Sequence, residues 1–212
     1  MNLRSTRVRF AALAAVAASL VLGMTASPAS AGLGVACPVP YSQPFAPWGD
    51  HAFYAYAPNG GLESGATGWT LAGGAKVVSG NESFSVHGTG ERYSLSLPAG
   101  SSATTPPMCV GLLSGGMRFF TSNAGASSSR LKVQVLYGGG TGSLLGLVGS
   151  VLGLTDVASL SSGSAWQPAD GVPMLGGDVP LLTQYVQFRF TPADSTGSWR
   201  IDDVYLDPLM HL

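Results

Sequence analysis

The chain has 212 residues, 30 of them glycine and 14 proline, and its 10 Lys and Arg against 11 Asp and Glu leave a net charge of −1. Its basic residues form no cluster, which excludes nucleic acid and anionic membrane as expected partners. The two cysteines, Cys37 and Cys109, are 72 positions apart, which excludes a C-x-x-C redox or zinc motif.

The first stretch carries Arg4, Arg7 and Arg9, an apolar run from Phe10 to Met24, and Ala29-Ser30-Ala31 ahead of Gly32. A basic start, an apolar run and a small-residue A-x-A site describe a secretory signal peptide. The run is shorter than the roughly 20 residues that span a bilayer, so a membrane anchor is not expected. Residues 1–31 are therefore assigned to the leader and 32–212 to a single domain, exported to the exterior or the cell envelope, monomeric and without a membrane span. Removing the leader leaves seven basic and eleven acidic residues, a net charge of −4. An even cysteine count in an exported chain predicts a Cys37–Cys109 disulfide. Closing a loop of that length stabilises a fold by roughly 4 kcal/mol in the chain-entropy view.

Past the leader, strand-like patterns follow one another. They are expected at 52–57, 69–78, 83–87 (Phe84 and Val86 alternating with Ser83, Ser85 and His87), 92–97, 117–121, 131–137, 185–190 and 199–206, which makes eight or nine strands. The alternation of Leu131, Val133 and Val135 with Lys132 and Gln134, and of Val186, Phe188 and Phe190 with Gln187 and Arg189, describes half-buried antiparallel strands. Turn signals separate them, among them Pro58-Asn59-Gly60-Gly61, Gly73-Gly74, Pro98-Ala99-Gly100 and Pro192-Ala193-Asp194. Many short strands with Gly and Pro turns predict an all-β jelly-roll sandwich of two antiparallel sheets. Residues 143–163, rich in Leu and Val, fit either a short helix or a strand and are read as a strand and loop insertion packed on the sandwich.

The chain's last strand-like stretch, Ser198 to Asp207, is interrupted by Asp202-Asp203. Strict alternation puts Asp202 on one face with Val204 and Leu206, and Asp203 on the other with Ile201 and Tyr205. One carboxylate is thus expected to be buried, and it needs a cation, a basic side chain or several donors.

Asn59-Gly60-Gly61-Leu62-Glu63, Gly68-Trp69, Ala75-Lys76-Val77-Val78 and Ile201-Asp202-Asp203-Val204 together resemble the galactose-binding-like jelly rolls of secreted carbohydrate-binding modules. In those modules N-G-x-x-E … G-W marks the first strand and I-D-D-V the last. With Cys37, Pro47-Trp48, Leu97-Pro98-Ala99-Gly100-Ser101 and the Trp199–Pro208 ending, the chain also resembles secreted proteins of high-GC Gram-positive bacteria. The first resemblance implies a structural calcium ion on Glu63 and Asp202, with carbonyls from Asn59 to Gly61. Calcium takes six to eight oxygens from such a mixture. The competing expectation is that Glu63 caps its own turn and Asp202 pairs with Arg200 or Arg92.

The resemblance also implies carbohydrate as the ligand, bound by exposed rings. The candidates are Trp48 and Trp166, in loops, with Tyr54 and Tyr56; Trp69 is expected in the core and Trp199 in the core or at an edge. The alternative reading is a structural or adhesive envelope protein that binds other proteins and has no sugar site. No catalytic residues are assigned. The histidines His51, His87 and His211 are scattered, no G-x-S-x-G, H-E-x-x-H, P-loop or dinucleotide motif occurs, and Asp50, Glu82 and Glu91 form no sequence cluster.

Overall fold

The computed structural model describes residues 40–110, 115–138, 152–174 and 184–207. Within them run fourteen strands: β1 (Tyr41–Ser42), β2 (Tyr54–Tyr56), β3 (Thr70–Ala72), β4 (Lys76–Ser79), β5 (Tyr93–Pro98), β6 (Ser102–Thr104), β7 (Met108–Val110), β8 (Gly116–Asn123), β9 (Leu131–Gly138), β10 (Leu152–Leu160), β11 (Gln167–Pro168), β12 (Val172–Pro173), β13 (Gln184–Pro192) and β14 (Ser198–Asp207). The only described helix is a single 3₁₀ turn, Ala46–Trp48. No described helix is long and apolar enough to cross a membrane.

The strands form two antiparallel sheets, as expected of a jelly-roll sandwich. One holds β1, β2, β14, β5 and β4 in that order, with β8 also on β14 and with β11 and β12 on β8; the other runs β10-β9-β13-β6-β3, with β7 on β13. Inward residues of both sheets build one core, in which Leu95, Leu97, Phe119, Ile201 and Val204 meet Val133, Val135, Phe188 and Phe190, all 0% exposed. Trp69 is buried in it as expected, and Trp199 with it. A second, aromatic cluster of Phe45, Tyr54, Phe120 and Tyr205 covers the outer face of the β14 sheet. Phe119 and Phe120 are consecutive on β8, so they enter the two clusters from opposite faces.

β14 is the axis of its sheet. One of its edges is paired throughout with β8, from Trp199↔Asn123 to Asp207↔Gly116. The other pairs Ser198–Ile201 with β5 and Tyr205–Leu206 with β2. Between those two partners Asp202 and Asp203 pair with neither strand, while Val204 bonds the Ala57 N–H and the Gly60 carbonyl, at 2.9 and 3.3 Å. The β8 register also slips there, because Asp202 faces Phe120 and Tyr205 faces Arg118, leaving Asp203 and Val204 opposite the single Phe119. This is a β-bulge, and Asp203 takes a left-handed φ of 47° within it. Aspartate tolerates that region better than a β-branched residue.

The bulge changes the expected faces. Ile201, Val204 and Leu206 all point into the main core and Tyr205 out of it, while Asp202 and Asp203 are both 0% exposed, where strict alternation predicts one buried carboxylate. Two further expectations are corrected. The stretch 69–78 is two strands in opposite sheets, broken where Gly73 and Gly74 take φ of 64° and 92°. Residues 83–87 are a loop, because their N–H groups go to carboxylates instead of to a neighbouring strand. The strand expected within 143–163 is present as Leu152–Leu160, at the edge of its sheet and paired with β9. The expected leader, Cys37, residues 143–151 and His211 lie outside the described residues; Cys109 lies on β7.

The Gly73 turn yields a stability test. An added Cβ there would collide with the Gly100 carbonyl and lie 2.9 Å from Ser101 Cα, whereas Gly49, also left-handed at 82°, has open space around it. In urea denaturation Gly73→Ala is expected to cost about 2 to 3 kcal/mol and Gly49→Ala about 1 kcal/mol, the difference being the collision.

Candidate functional site

Four carboxylates gather at the edge of β14 between β5 and β2. Asp202 and Asp203 are fully buried and Glu82 is 2% exposed. The side chain of Glu91 is 8% exposed. Their first task is to hold the loop after β4. Asp202 Oδ2 accepts the Glu82 N–H at 2.9 Å, and its Oδ1 accepts the Asp203 N–H at 3.0 Å. Glu82 in turn accepts the N–H groups of Phe84 and Val86. Asp203 Oδ2 accepts that of His87 at 3.3 Å. A carboxylate that takes two backbone donors within its own loop displaces the strand ladder that the Phe84/Val86 alternation predicts.

Among the described residues no basic side chain bonds this group except that of His87. The His87 ring stacks on Tyr56 with centroids 3.7 Å apart and planes 7° from parallel. Its Nδ1 lies 2.6 Å from Glu91 Oε1. The Tyr56 hydroxyl lies 3.2 Å from the same Glu91 oxygen and 3.0 Å from Asp203 Oδ1, so its single proton serves one acceptor at a time. Glu91 Oε2 is buried with no hydrogen-bond partner. Burial, then the charge of Asp203, pushes the Asp202 carboxyl up to about 9. Burial, then the charge of Glu91, pushes Asp203 up to about 7. Burial and the same two acids raise Tyr56, which keeps its hydroxyl protonated as a donor.

The calcium set implied by the resemblance is split here. Asn59, Gly61 and Glu63 line one cleft of about 510 Å³ together with Tyr56, His87 and Glu91. Glu63 is exposed and its Oε1 is already taken by the Arg92 and Tyr93 N–H groups, at 2.7 and 2.9 Å. The Asn59 carbonyl accepts the Trp69 indole N–H at 3.0 Å and the Leu62 N–H at 3.1 Å. Asp202 is not in the wall of that cleft. The aspartate under it is Asp203, whose Oδ1 would lie 3.0 Å from a Cβ on Gly61. Asp202 pairs with neither Arg200 nor Arg92: Arg200 donates to the Ser79 and Gly80 carbonyls and Ser94.

On the other side of the same loop lies a groove of about 460 Å³ lined by Gln43, Pro44, Pro47, Trp48, Phe84 and Val86. Trp48 and Phe84 meet edge to face, with centroids 4.9 Å apart, and are 36% and 45% exposed. Both rest on Phe120. The other predicted stacking rings are less free. Tyr54 is 5% exposed and donates to Asp50 at 2.7 Å, the Tyr56 face carries His87, and half-buried Trp166 lies under the Arg200 guanidinium at 5.4 Å. Phe84 was absent from the predicted set because its alternation reads as a strand. Asp50, raised as a catalytic possibility beside Glu82 and Glu91, is engaged elsewhere, with Arg118 at 2.5 Å and the Tyr54 hydroxyl. Burial opposes its ionisation, yet those bonds and the Ala52 N–H hold it below the ordinary carboxyl range.

No family model matches this chain and no curated protein does. Among solved structures, a family 11 carbohydrate-binding module from Clostridium thermocellum, in complex with a β-1,3-1,4-mixed-linked tetrasaccharide, is 14% identical over 74% of this chain and 96% of that one, with a TM-score of 0.42. The CBM22-1 xylan-binding domain from Paenibacillus barcinonensis is 15% identical over 72% and 93%, with a TM-score of 0.43. The module TmCBM61, in complex with β-1,4-galactotriose, is 21% identical over 71% and 96%, with a TM-score of 0.39. At such identities these are likenesses of fold and assign no ligand.

The raised carboxyls carry a sign. Because the folded form binds more protons than the unfolded chain, the stability they contribute is full below the ordinary carboxyl range and is lost as the pH rises through about 7 for Asp203 and about 9 for Asp202. Chelator-treated protein is therefore expected to show a lower urea midpoint at pH 9 than at pH 5, and Asp202→Asn should flatten the upper part of that decline.

Proposed function

We propose that the protein is an exported, non-catalytic carbohydrate-binding module whose sugar platform is the Trp48–Phe84 groove. The observation that carries this reading is the pair of exposed rings set side by side on a rigid aromatic base. Sugar rings present flat C–H faces, and aromatic faces bind them while neighbouring amide and carbonyl groups meet the hydroxyls. Gln43 stands at the groove, with its Nε2 donating to the His51 carbonyl at 2.5 Å and its side-chain oxygen left for a ligand. Pro44 and Pro47 stiffen the segment that carries Trp48, which lowers the ordering cost of binding. Export from the leader and the Cys37–Cys109 bridge belong to the same reading.

On a glycan array the untagged protein is expected to be retained by a defined subset of polysaccharides, and Trp48→Ala and Phe84→Ala to weaken retention about 3- to 10-fold each. Tyr54→Phe, which alters a buried ring outside the groove, should leave it unchanged. Incubation with the retained glycans should release no reducing ends. Silence of a well-folded sample across a broad array would move the assignment to a structural or adhesive protein that binds other proteins. The bridge is checked separately: intact mass under non-reducing conditions should show no free thiol, and reduction should lower the melting temperature.

A further inference from the structure

We propose that His87, Glu91 and Asp203 form a binding site for a divalent transition-metal ion of the zinc class. Each offers one donor atom, and the three atoms lie within 4.8 Å of one another. Ligands held 2.0–2.1 Å from a tetrahedral ion stand about 3.4 Å apart, a spacing that side-chain rotation reaches from this starting point. His87, 45% exposed on its side chain, supplies that freedom and opens the site to the 510 Å³ cleft.

The second observation is Glu91 itself. Its side chain is more than nine-tenths buried, and its Oε2 has no partner although Oε1 has two. A buried carboxylate oxygen without a donor is costly, and a bound cation removes that cost. Two carboxylates and a neutral imidazole also match the charge of a divalent ion.

The donor set decides the class of metal. Calcium takes oxygen ligands at 2.3–2.6 Å and six or more of them, whereas an imidazole nitrogen with two carboxylate oxygens suits zinc and its neighbours. Three protein ligands leave a fourth position facing the cleft. The surroundings are already set: the Tyr56 hydroxyl reaches both carboxylates and its ring supports the imidazole. The His87 N–H on Asp203 Oδ2 orients that aspartate. Gly61 must be glycine, since a Cβ there would press on Tyr56 and lie 2.9 Å from Glu91 Oε1. The site stands apart from the sugar groove, so it does not rest on the proposed function.

The test uses the untagged, chelator-stripped protein and zinc, cobalt(II) and calcium salts alone. Competition against a chromophoric chelator is expected to show one zinc per chain. His87→Ala, at an exposed side chain, and Glu91→Gln should each weaken it at least about tenfold. His51→Ala, an exposed histidine elsewhere, should leave zinc binding intact. Cobalt(II) should give the visible absorption of a tetrahedral site, lost in His87→Ala. Absence of saturable zinc binding, zinc affinity equal in His87→Ala and the parent, or calcium binding in preference to zinc would each overturn the proposal.

Discussion

The arrangement that the rest of this molecule depends on is the capture of one loop's backbone by buried carboxylates. Asp202 holds Glu82, Glu82 holds Phe84 and Val86, and Asp203 holds His87. The two contacts from β14 bridge 120 and 116 positions of sequence, so the last strand positions a segment from the first half of the chain. The loop then presents Phe84 to one groove and His87 to the other cleft. Both candidate sites are consequences of the same set of hydrogen bonds. Charge-assisted bonds from backbone N–H to carboxylate are stronger than neutral ones, which lets a Gly- and Ser-rich loop keep one conformation without a strand partner.

The bulge at Asp203 makes this possible. A regular β14 would carry β5 or β2 along its whole free edge and send Asp203 to one face in strict alternation. The extra residue parts those two neighbours and leaves space at 202–204, which Gly60 and Ala57 reach from the side through the Val204 backbone. Asp202 and Asp203 are fully enclosed there, and Phe45, Phe120 and Tyr205 pack together in the outer aromatic cluster, with Phe45 5.4 Å from Phe120 and 5.6 Å from Tyr205. Exclusion of water strengthens the carboxylate hydrogen bonds and also raises the cost of the charges themselves. The same dry pocket therefore orders the loop and creates the demand for a proton or a cation.

Much of the sandwich was legible in the sequence because its inner strands alternate cleanly. Leu131–Val135 and Val186–Phe190 expose polar residues on one side only, and the structure pairs them in register, Phe188 opposite Val135. Trp69 was legible as core from the resemblance, which buries that position, and it is buried. The candidate sites were not legible, since they arise from backbone choices that periodicity does not record. Phe84 and Val86 alternate as a strand would, but a Glu two residues ahead of Phe84 offers its carboxylate to their N–H groups, and Ser85 takes a φ of 52°. Asp203 looks like an ordinary strand residue until its φ is known. The resemblance identified the two ends that come together, the Asn59–Glu63 turn and β14, yet a one-residue bulge was enough to put Asp203 at the junction where Asp202 was expected.

That exchange of neighbouring aspartates changes the chemistry as well as the bookkeeping of faces. Asp202 spends both oxygens on backbone N–H groups and is fully enclosed, so it behaves as a fixture of the fold. Asp203 spends one oxygen on the His87 backbone and shares the other with a tyrosine hydroxyl, which leaves lone pairs turned toward Glu91 and the cleft. A carboxylate that is buried but not saturated, beside a second acid with an unmatched oxygen and an imidazole at the mouth, is arranged to bind positive charge. A divalent ion held by the imidazole satisfies both acids at once, so at the proposed site metal occupancy and the order of the 82–87 loop are coupled through Asp203, whose Oδ2 holds the His87 N–H.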